Sequence, residues 1–212
     1  MPKSTLLVFT KTPLPGRVKT RLAASVGEEI ACDLYVWMGK EIFDAITQVP
    51  GLSTKVVMAP EDSSDERVRT WLGKDIEIWV QHGDDLGERL ANATQDAFDE
   101  GAEKVLIVGL DAPDMTARHI EQALAALDEK DACLIPTSDG GYILIGLTRP
   151  EAAIFEGIEY GTETVFYETR NRIRAHAMTW AELPEMHDLD TADDIRHFPT
   201  IEDWLVSKNW CR

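Results

Sequence analysis

Basic side chains cluster in one short loop near the start of an otherwise acidic chain. The apolar run 6–9 is followed by a segment interrupted by Pro13, Pro15 and Gly16, which are typical loop residues. That loop carries four cations within eleven positions: Lys11, Arg17, Lys19 and Arg21. The first 27 residues hold five basic and no acidic side chains, whereas the whole chain has 21 basic and 38 acidic residues and a net charge of −17. The cluster favours an anionic ligand such as a phosphate chain, the alternative being ordinary solvated cations.

Aspartates that follow two later segments are candidates for holding a divalent metal ion. Asp111 lies two residues beyond the apolar run 104–109, and Mg²⁺ takes carboxylates together with substrate phosphate oxygens. Asp188 and Asp190 alternate, so an extended segment would place both carboxylates on one side. Each also has a structural explanation, because Asp is common in turns after strands and Asp190 or Thr191 could cap a helix.

A further aspartate stands beside two glycines in the segment Asp139-Gly140-Gly141-Tyr142. The glycines fit either a plain hairpin turn or a backbone that a ligand approaches closely. In the second case, Asp139 could orient a sugar or act as a base towards an acceptor hydroxyl.

Two more loops offer groups for an anionic ligand. Arg89 follows the third predicted strand and could face a phosphate or a base, while Asp85 beside it is a plain helix cap in the simpler interpretation. Thr162 could likewise cap a helix, and the free N–H groups of that helix end could receive an anion.

Alternating strands and amphipathic helices must position these loops. We predict strands at 6–9, 55–59, 76–80, 104–109, 132–136, 142–147 and 176–180, and helices at 28–48, 63–72, 86–101, 116–127, 162–174, from 190 and at 201–206. The helix at 63 would start with a capping box of Ser63 and Glu66. The connection 137–141 is too short for a parallel crossover, so its two strands should be antiparallel. The pattern predicts a three-layer α/β/α sandwich with a mostly parallel sheet, and ligands then lie beyond the carboxyl ends of the strands.

Length and composition limit the class of protein. The 212 residues fit one domain spanning 1–212, and 44% hydrophobic residues are ordinary for a globular protein. No apolar run approaches the roughly 18–20 residues of a membrane span, and no signal peptide is visible, so we expect a cytoplasmic protein. Cys32, Cys133 and Cys211 are far apart, which argues against a disulfide framework and a zinc site.

The acidity of the chain also limits its partners. An excess of 17 negative charges would oppose binding to nucleic acid or to an anionic membrane surface, so we expect neither. A nucleotide or nucleotide-sugar remains compatible with a local basic site. The oligomeric state stays open, since Trp204 and Trp210 could pack within the chain or between chains.

Taken in order, these motifs resemble those of a bacterial family of glycosyltransferases described as radical-SAM/selenodomain-associated or arsenosugar-biosynthesis transferases. The matching segments cover nearly the whole chain: Phe9-x-Lys11-x-Pro13-x-Pro15-Gly16-x-Val18-Lys19-Thr20-Arg21-Leu22, Asp85-Leu86-Gly87-Glu88-Arg89-Leu90, Gly109-x-Asp111-x-Pro113, 139–147, 155–162 and Asp188-x-Asp190-Thr191. The chain departs from the family at Leu110 and Ala112, where Ser and Cys are more frequent, and at Tyr160, where Trp is frequent.

The resemblance implies a GT-A-type nucleotide-diphospho-sugar transferase fold, shared with molybdenum-cofactor and phospholactate guanylyltransferases. In that superfamily the first loop cradles the nucleotide phosphates, and an Asp after the central strand binds a divalent metal with a late second Asp. By position, Mg²⁺ or Mn²⁺ would be held by Asp111 and Asp190. The phosphate-binding set would be Lys11, Gly16, Arg17, Lys19, Arg21 and Arg89, and the substrate set Gly140, Gly141, Tyr160 and Thr162.

Three functions are compatible with this pattern. The first is a metal-dependent glycosyltransferase that uses a nucleotide-diphospho-sugar, with Asp111 and Asp139 as catalytic residues. The second is a nucleotidyltransferase that joins an NTP to a phosphorylated acceptor and releases pyrophosphate, although the Gly-Gly opening loop of the guanylyltransferases is absent here. The third is a non-catalytic nucleotide-binding protein on the same scaffold, since a fold does not determine a function.

Overall fold

The computed structural model describes residues 4–60, 62, 66–208 and 210. Seven strands form one sheet with the order β3-β2-β1-β4-β6-β5-β7. The strands are β1 (Ser4–Thr10), β2 (Leu52–Met58), β3 (Glu77–Val80), β4 (Lys104–Val108), β5 (Ala132–Pro136), β6 (Tyr142–Leu147) and β7 (Trp180–Glu182). All strand pairs are parallel except the two that involve β6, so the predicted mostly parallel sheet is confirmed.

Helices follow most strands, as the alternating pattern predicts. They are α1 (Thr20–Val26), α2 (Glu28–Ile46), α3 (Glu66–Leu72), α4 (Leu86–Asp99), α5 (Ala117–Ala126), α6 (Val165–Ala175) and α7 (Pro199–Ser207), with short 3₁₀ turns at Ala152–Ile154 and Asp194–His197.

Two buried clusters on opposite faces of the sheet confirm the three-layer sandwich. Successive side chains of a strand point to opposite faces. Leu6 and Val8 accordingly join a cluster with α2 residues such as Leu34, whereas Leu7 joins a separate cluster with Leu90 of α4.

The carboxyl ends of the parallel strands meet at one edge of the sheet. The β5–β6 hairpin is antiparallel, as predicted from its short connection. Because β6 also runs antiparallel to β4, the turn 137–141 lies at the same edge as the carboxyl end of β4. The late loop is attached there too, because the N–H of Leu189 donates to the carbonyl of Asp111 at 2.9 Å.

Four details differ from the sequence-based expectations, the first being that the helix predicted from 190 is a 3₁₀ turn at Asp194–His197. Helix α1 follows the basic loop where no helix was predicted, and the late strand lies at Trp180–Glu182 rather than 176–180 because the chain turns at Ala177, which has a φ of 53°. The helix expected from Thr162 begins at Val165, since the Thr162 hydroxyl donates to the carbonyl of Glu159 instead. Ser63 of the predicted capping box lies outside the described residues.

The described cysteines, Cys32 and Cys133, are free and buried, and Cys211 lies outside the described residues. Burial raises the pKa of the Cys133 thiol to about 12. Within the described part of the chain, no helix has the length and apolar character needed to cross a bilayer.

Candidate functional site

A cleft of about 750 Å³ opens at the carboxyl edge of the parallel strands. It is bordered by the basic loop after β1, the loop after β4 and the late loop that contains Asp190. Seven predicted site residues line it: Lys11, Arg17, Lys19, Arg21, Arg89, Asp111 and Asp190. The fold therefore brings together side chains from four separate segments of the sequence.

The basic loop is shaped by a tight turn at Pro15 and Gly16. The N–H of Arg17 donates to the carbonyl of Leu14 at 3.0 Å, and Gly16 has a φ of 75°. A type II turn takes proline at its second position and needs a positive φ at its third. Gly16 is outside the cleft lining and shapes the loop that presents the cations.

Asp62 attaches this loop to the segment after β2. Its carboxylate is 3.1 Å from the Arg17 guanidinium, and its side chain is 3% exposed. Its second oxygen accepts from the N–H of Thr12 at 3.3 Å. The sequence interpretation did not select Asp62, because nothing in its local pattern distinguishes it from other loop carboxylates.

Tyr35 of α2 supports the floor of the cleft. Its hydroxyl lies 2.7 Å from that of Thr10 and accepts from the N–H of Lys11 at 3.3 Å. Burial, reinforced by the charge of Asp111, raises the pKa of Tyr35 to about 12. The phenol therefore stays protonated and holds the end of β1 in place.

Lys19 lies between the two aspartates that the sequence assigns to a metal. Its ammonium contacts Asp111 Oδ1 and is 3.3 Å from Asp190 Oδ1. Burial penalises the charged ammonium, but Asp111 and Asp190 outweigh that cost and raise the pKa of Lys19 above its ordinary value. Arg21 lies 3.5 Å from the other oxygen of Asp190 and is 70% exposed.

The same two carboxylates offer hard oxygen ligands of the kind that Mg²⁺ and Mn²⁺ bind. No group of three or more His, Cys, Asp or Glu side chains within the described residues is arranged to hold a metal ion. Asp111 and Asp190 therefore fit a site whose other ligands come from substrate phosphates and water. The Lys19 ammonium holds the position between them.

Arg89 enters the cleft from the first turn of α4. Its Nε donates to the carbonyl of Gly83 at 3.1 Å, and its Nη1 is 3.5 Å from the amide oxygen of Gln81. Asp85 caps the helix by accepting from the N–H of Glu88 at 2.8 Å, which confirms its predicted cap role. Gln81, which also lines the cleft, was not selected from the sequence.

A second cavity of about 250 Å³ adjoins the cleft, and Phe9, Leu86 and Gly109 line both. Four predicted residues line it: Asp139, which is exposed at its rim, together with Gly141, Tyr160 and Thr162. Its walls are apolar and include side chains such as Ile107 and Ile143.

The turn 137–141 holds Asp139 by one oxygen. Asp139 Oδ1 accepts from the hydroxyl of Thr137 at 2.6 Å and from the N–H of Gly141 at 2.9 Å. Gly140 does not line the cavity. It has a φ of 90°, and a Cβ at this position would overlap the carbonyl oxygen of Glu163, so Gly140 allows the turn to pack against the loop before α6.

Three titratable groups in or beside this second cavity have raised pKa values, and Asp188 is the one that lies outside its lining. Burial, together with the charges of Asp139 and Asp190, raises the pKa of Asp188 to about 6. Burial also raises the pKa of Tyr142 and of Tyr160, whose hydroxyls lie close to each other and sealed from solvent. These phenols are therefore neutral at ordinary pH.

Solved structures place this architecture among nucleotide-diphospho-sugar transferase folds. A protein of Desulfovibrio desulfuricans G20 that bears the name of a candidate nucleotide-diphospho-sugar transferase is 32% identical, with a TM-score of 0.87, 99% of this chain covered and 96% of that one. The 4-diphosphocytidyl-2C-methyl-D-erythritol synthase of Anaerococcus prevotii is 12% identical, with a TM-score of 0.61 and coverages of 94% and 98%. A CMP:2-keto-3-deoxy-manno-octonic acid synthetase complexed with CTP is 13% identical, with a TM-score of 0.56 and coverages of 95% and 99%.

The sheet order and the cleft at its carboxyl edge thus define a protein of the nucleotide-diphospho-sugar transferase fold. The chain belongs to the DUF2064 family, described as uncharacterized protein conserved in bacteria, whose model matches residues 42–162. Among curated proteins, none matches this chain.

Proposed function

We propose that this protein is a transferase that binds the diphosphate of a nucleotide-diphospho-sugar in the basic cleft and passes the sugar to an acceptor hydroxyl. The observation that carries the proposal is the convergence of five cations and three carboxylates at the carboxyl edge of parallel strands. In a protein with a net charge of −17, a cationic cleft of this kind is best explained by an anionic ligand.

The cations of the cleft are available to the diphosphate to different degrees. Arg17 and Arg21 are 45% and 70% exposed beside their partners, and Lys11 is exposed at the cleft. Asp111 and Asp190 would hold Mg²⁺ or Mn²⁺, which when bound supplies neutralising charge to the diphosphate.

The second cavity would receive the acceptor. Its apolar walls favour an acceptor that presents an apolar face, while Asp139 at the rim would take the proton from the attacking hydroxyl. The acceptor oxygen forms a bond to the anomeric carbon of the sugar as the bond from that carbon to the phosphate oxygen breaks. The nucleoside diphosphate then leaves.

Nucleotidyl transfer is a second candidate function. Two structures with this fold bear the names of a diphosphocytidyl-methylerythritol synthase and a CMP-sugar-acid synthetase with CTP, so the fold is compatible with that chemistry. The same cations would hold a triphosphate, and pyrophosphate would leave instead of a nucleoside diphosphate. Membership of an arsenosugar-type pathway stays a prediction from the resemblance alone.

The products distinguish the two reactions. The protein is incubated with Mn²⁺ and either UDP-, GDP-, ADP- and dTDP-sugars or NTPs with sugar phosphates, and the released anions are separated by ion-exchange chromatography. We expect a nucleoside diphosphate from one of the nucleotide-sugars. Pyrophosphate release from an NTP would replace the first proposal by the second, and no turnover of any nucleotide would contradict both.

A further inference from the structure

Lys19 has an unusual backbone conformation immediately before α1. Its φ and ψ are 47° and 42°, in the left-handed region that residues other than glycine rarely adopt. Among the non-glycine residues that the structure describes, only Ala177 shares a positive φ. Such a strained conformation persists where surrounding contacts hold the residue in place. The contacts of the Lys19 side chain therefore explain why this conformation is retained.

The Lys19 ammonium is buried among three oxygen acceptors. It donates to the carbonyl of Leu189 at 2.6 Å, contacts Asp111 Oδ1 and lies 3.3 Å from Asp190 Oδ1. Its side chain is 3% exposed. An ammonium has three donors, so these acceptors match its full capacity.

The Lys19 ammonium occupies the position that a metal ion bound by both Asp111 and Asp190 would need. Mg²⁺ requires its oxygen ligands at about 2.1 Å, whereas Asp111 Oδ1 and Asp190 Oδ1 both face the Lys19 nitrogen. A metal and the ammonium cannot occupy the space between these oxygens together. Without either cation, the two nearby carboxylates would repel each other.

We infer that Lys19 is the resident counter-ion of the Asp111–Asp190 pair, and that a divalent cation binds this pair only by displacing the lysine ammonium. The inference rests on the proposed function in one respect, since the phosphate groups of a bound nucleotide are the anions that would receive the displaced ammonium. Metal and nucleotide binding are then coupled, because both favour the state in which Lys19 has left the aspartates.

Binding of Mn²⁺ to the nucleotide-free protein tests this exchange. Free Mn²⁺ is titrated with the full chain and followed by electron paramagnetic resonance, for the wild type, Lys19→Met and Arg21→Met. We expect Lys19→Met to bind Mn²⁺ about tenfold more tightly than the wild type, a size typical of coupled sites. Arg21→Met removes a positive charge beside Asp190 but leaves the Lys19 ammonium between the two aspartates. Its affinity for Mn²⁺ should therefore stay within about twofold of the wild type.

Two further variants complete the test. Asp111→Asn added to Lys19→Met should remove the gain, because one of the two ligands is lost. Lys19→Gln keeps a donor for Leu189 and replaces Lys19→Met if the latter does not fold, as judged by circular dichroism and the urea midpoint. A folded Lys19 variant that binds Mn²⁺ no more tightly than the wild type overturns the inference. Because no nucleotide is present, this result is independent of whether the transferase assay succeeds.

Discussion

At the scale of single residues, Lys11 differs from the other cations of the basic loop. Arg17 pairs with Asp62, and Lys19 and Arg21 contact Asp190. For the Lys11 ammonium, the structure shows no carboxylate partner among the residues it describes. Within the basic loop, Lys11 is therefore the cation whose charge a diphosphate can use without breaking an ion pair between described residues.

We expect Lys11→Met to weaken binding of the nucleoside diphosphate by about fivefold to tenfold, the size of one charge-assisted contact to phosphate. Isothermal titration calorimetry measures the change, and stronger salt dependence in the wild type should accompany it. Lys130→Met removes another exposed lysine that is outside the cleft lining and is the matched control. Equal losses in both variants would show a non-specific charge effect.

The sequence predicted which side chains line the cleft better than it predicted which residues those side chains contact. Residue types and their positions after strands were enough to select Lys11, Arg89 and Asp111. The contact between Lys19 and Asp190 joins residues 171 positions apart, and no local pattern contains that information. Asp62 was not predicted for the same reason, since its role depends on which loop the fold places beside it.

At the scale of elements, the turn between β5 and β6 depends on Gly140. Its φ of 90° is unfavourable for other residues, and the carbonyl of Glu163 fills the space that a side chain would need. The carbonyl of Gly140 also accepts from the N–H of Phe166 at 2.9 Å. The turn and the loop before α6 therefore form one unit at the rim of the second cavity.

Gly140→Ala should destabilise the protein by about 2–4 kcal/mol, because backbone strain and an overlap with a backbone oxygen act together. Gly101→Ala is the matched control, since Gly101 has a similar φ of 93° with open space around its Cβ position. Urea unfolding of both variants measures the difference. Losses of the same size would mean that the close packing against Glu163 contributes nothing.

The edge strand β7 is held by hydrogen bonds to the Asp131 side chain as well as by its backbone pairing with β5. Asp131 accepts from the N–H of Thr179 at 2.7 Å and from its hydroxyl at 2.8 Å. These hydrogen bonds hold the pKa of Asp131 below its usual range. Because β7 leads into the loop with Asp188 and Asp190, this attachment also positions the site.

Asp131→Asn should cost about 0.5–1 kcal/mol of stability at pH 7, a modest value because the carboxylate is largely solvated. A depressed pKa stabilises the fold above the unfolded value of about 3.9, and the contribution is lost as the pH falls through the folded value. The difference in urea midpoint between variant and wild type should therefore be larger at pH 7 than near pH 3. Asp75→Asn, at an exposed turn before β3, should show no such change, and a pH-independent loss at Asp131 would contradict the argument.

Most elements were predictable because their apolar periodicity is strong. The strands β4, β5 and β6 and the helices α2 and α4 lie where the pattern placed them. Helix α1 was missed because its seven residues follow directly after a loop without a capping side chain. The position of β7 was wrong because a three-residue edge strand is determined by pairing with β5 rather than by its own sequence.

At the scale of the whole molecule, the sheet order explains why distant motifs form one site. Central strands β1 and β4 are adjacent and parallel, so the loops after them meet, and β7 returns the late aspartates to the same edge. The alternation of strands and helices was enough to predict this three-layer arrangement and the location of the cleft. It could not predict the separate apolar cavity, whose walls come from side chains brought together only by packing.

The proposed function depends on binding of the diphosphate of a nucleotide in the basic cleft. Its most direct test is the thermal unfolding of the wild type with millimolar UDP-, GDP-, ADP- and dTDP-sugars and with NTPs, each with and without Mn²⁺. A ligand that binds only the native state must raise the melting temperature, so we predict an increase with at least one nucleotide-sugar that is larger when Mn²⁺ is present. An unchanged melting temperature with every nucleotide would contradict the assignment of the cleft.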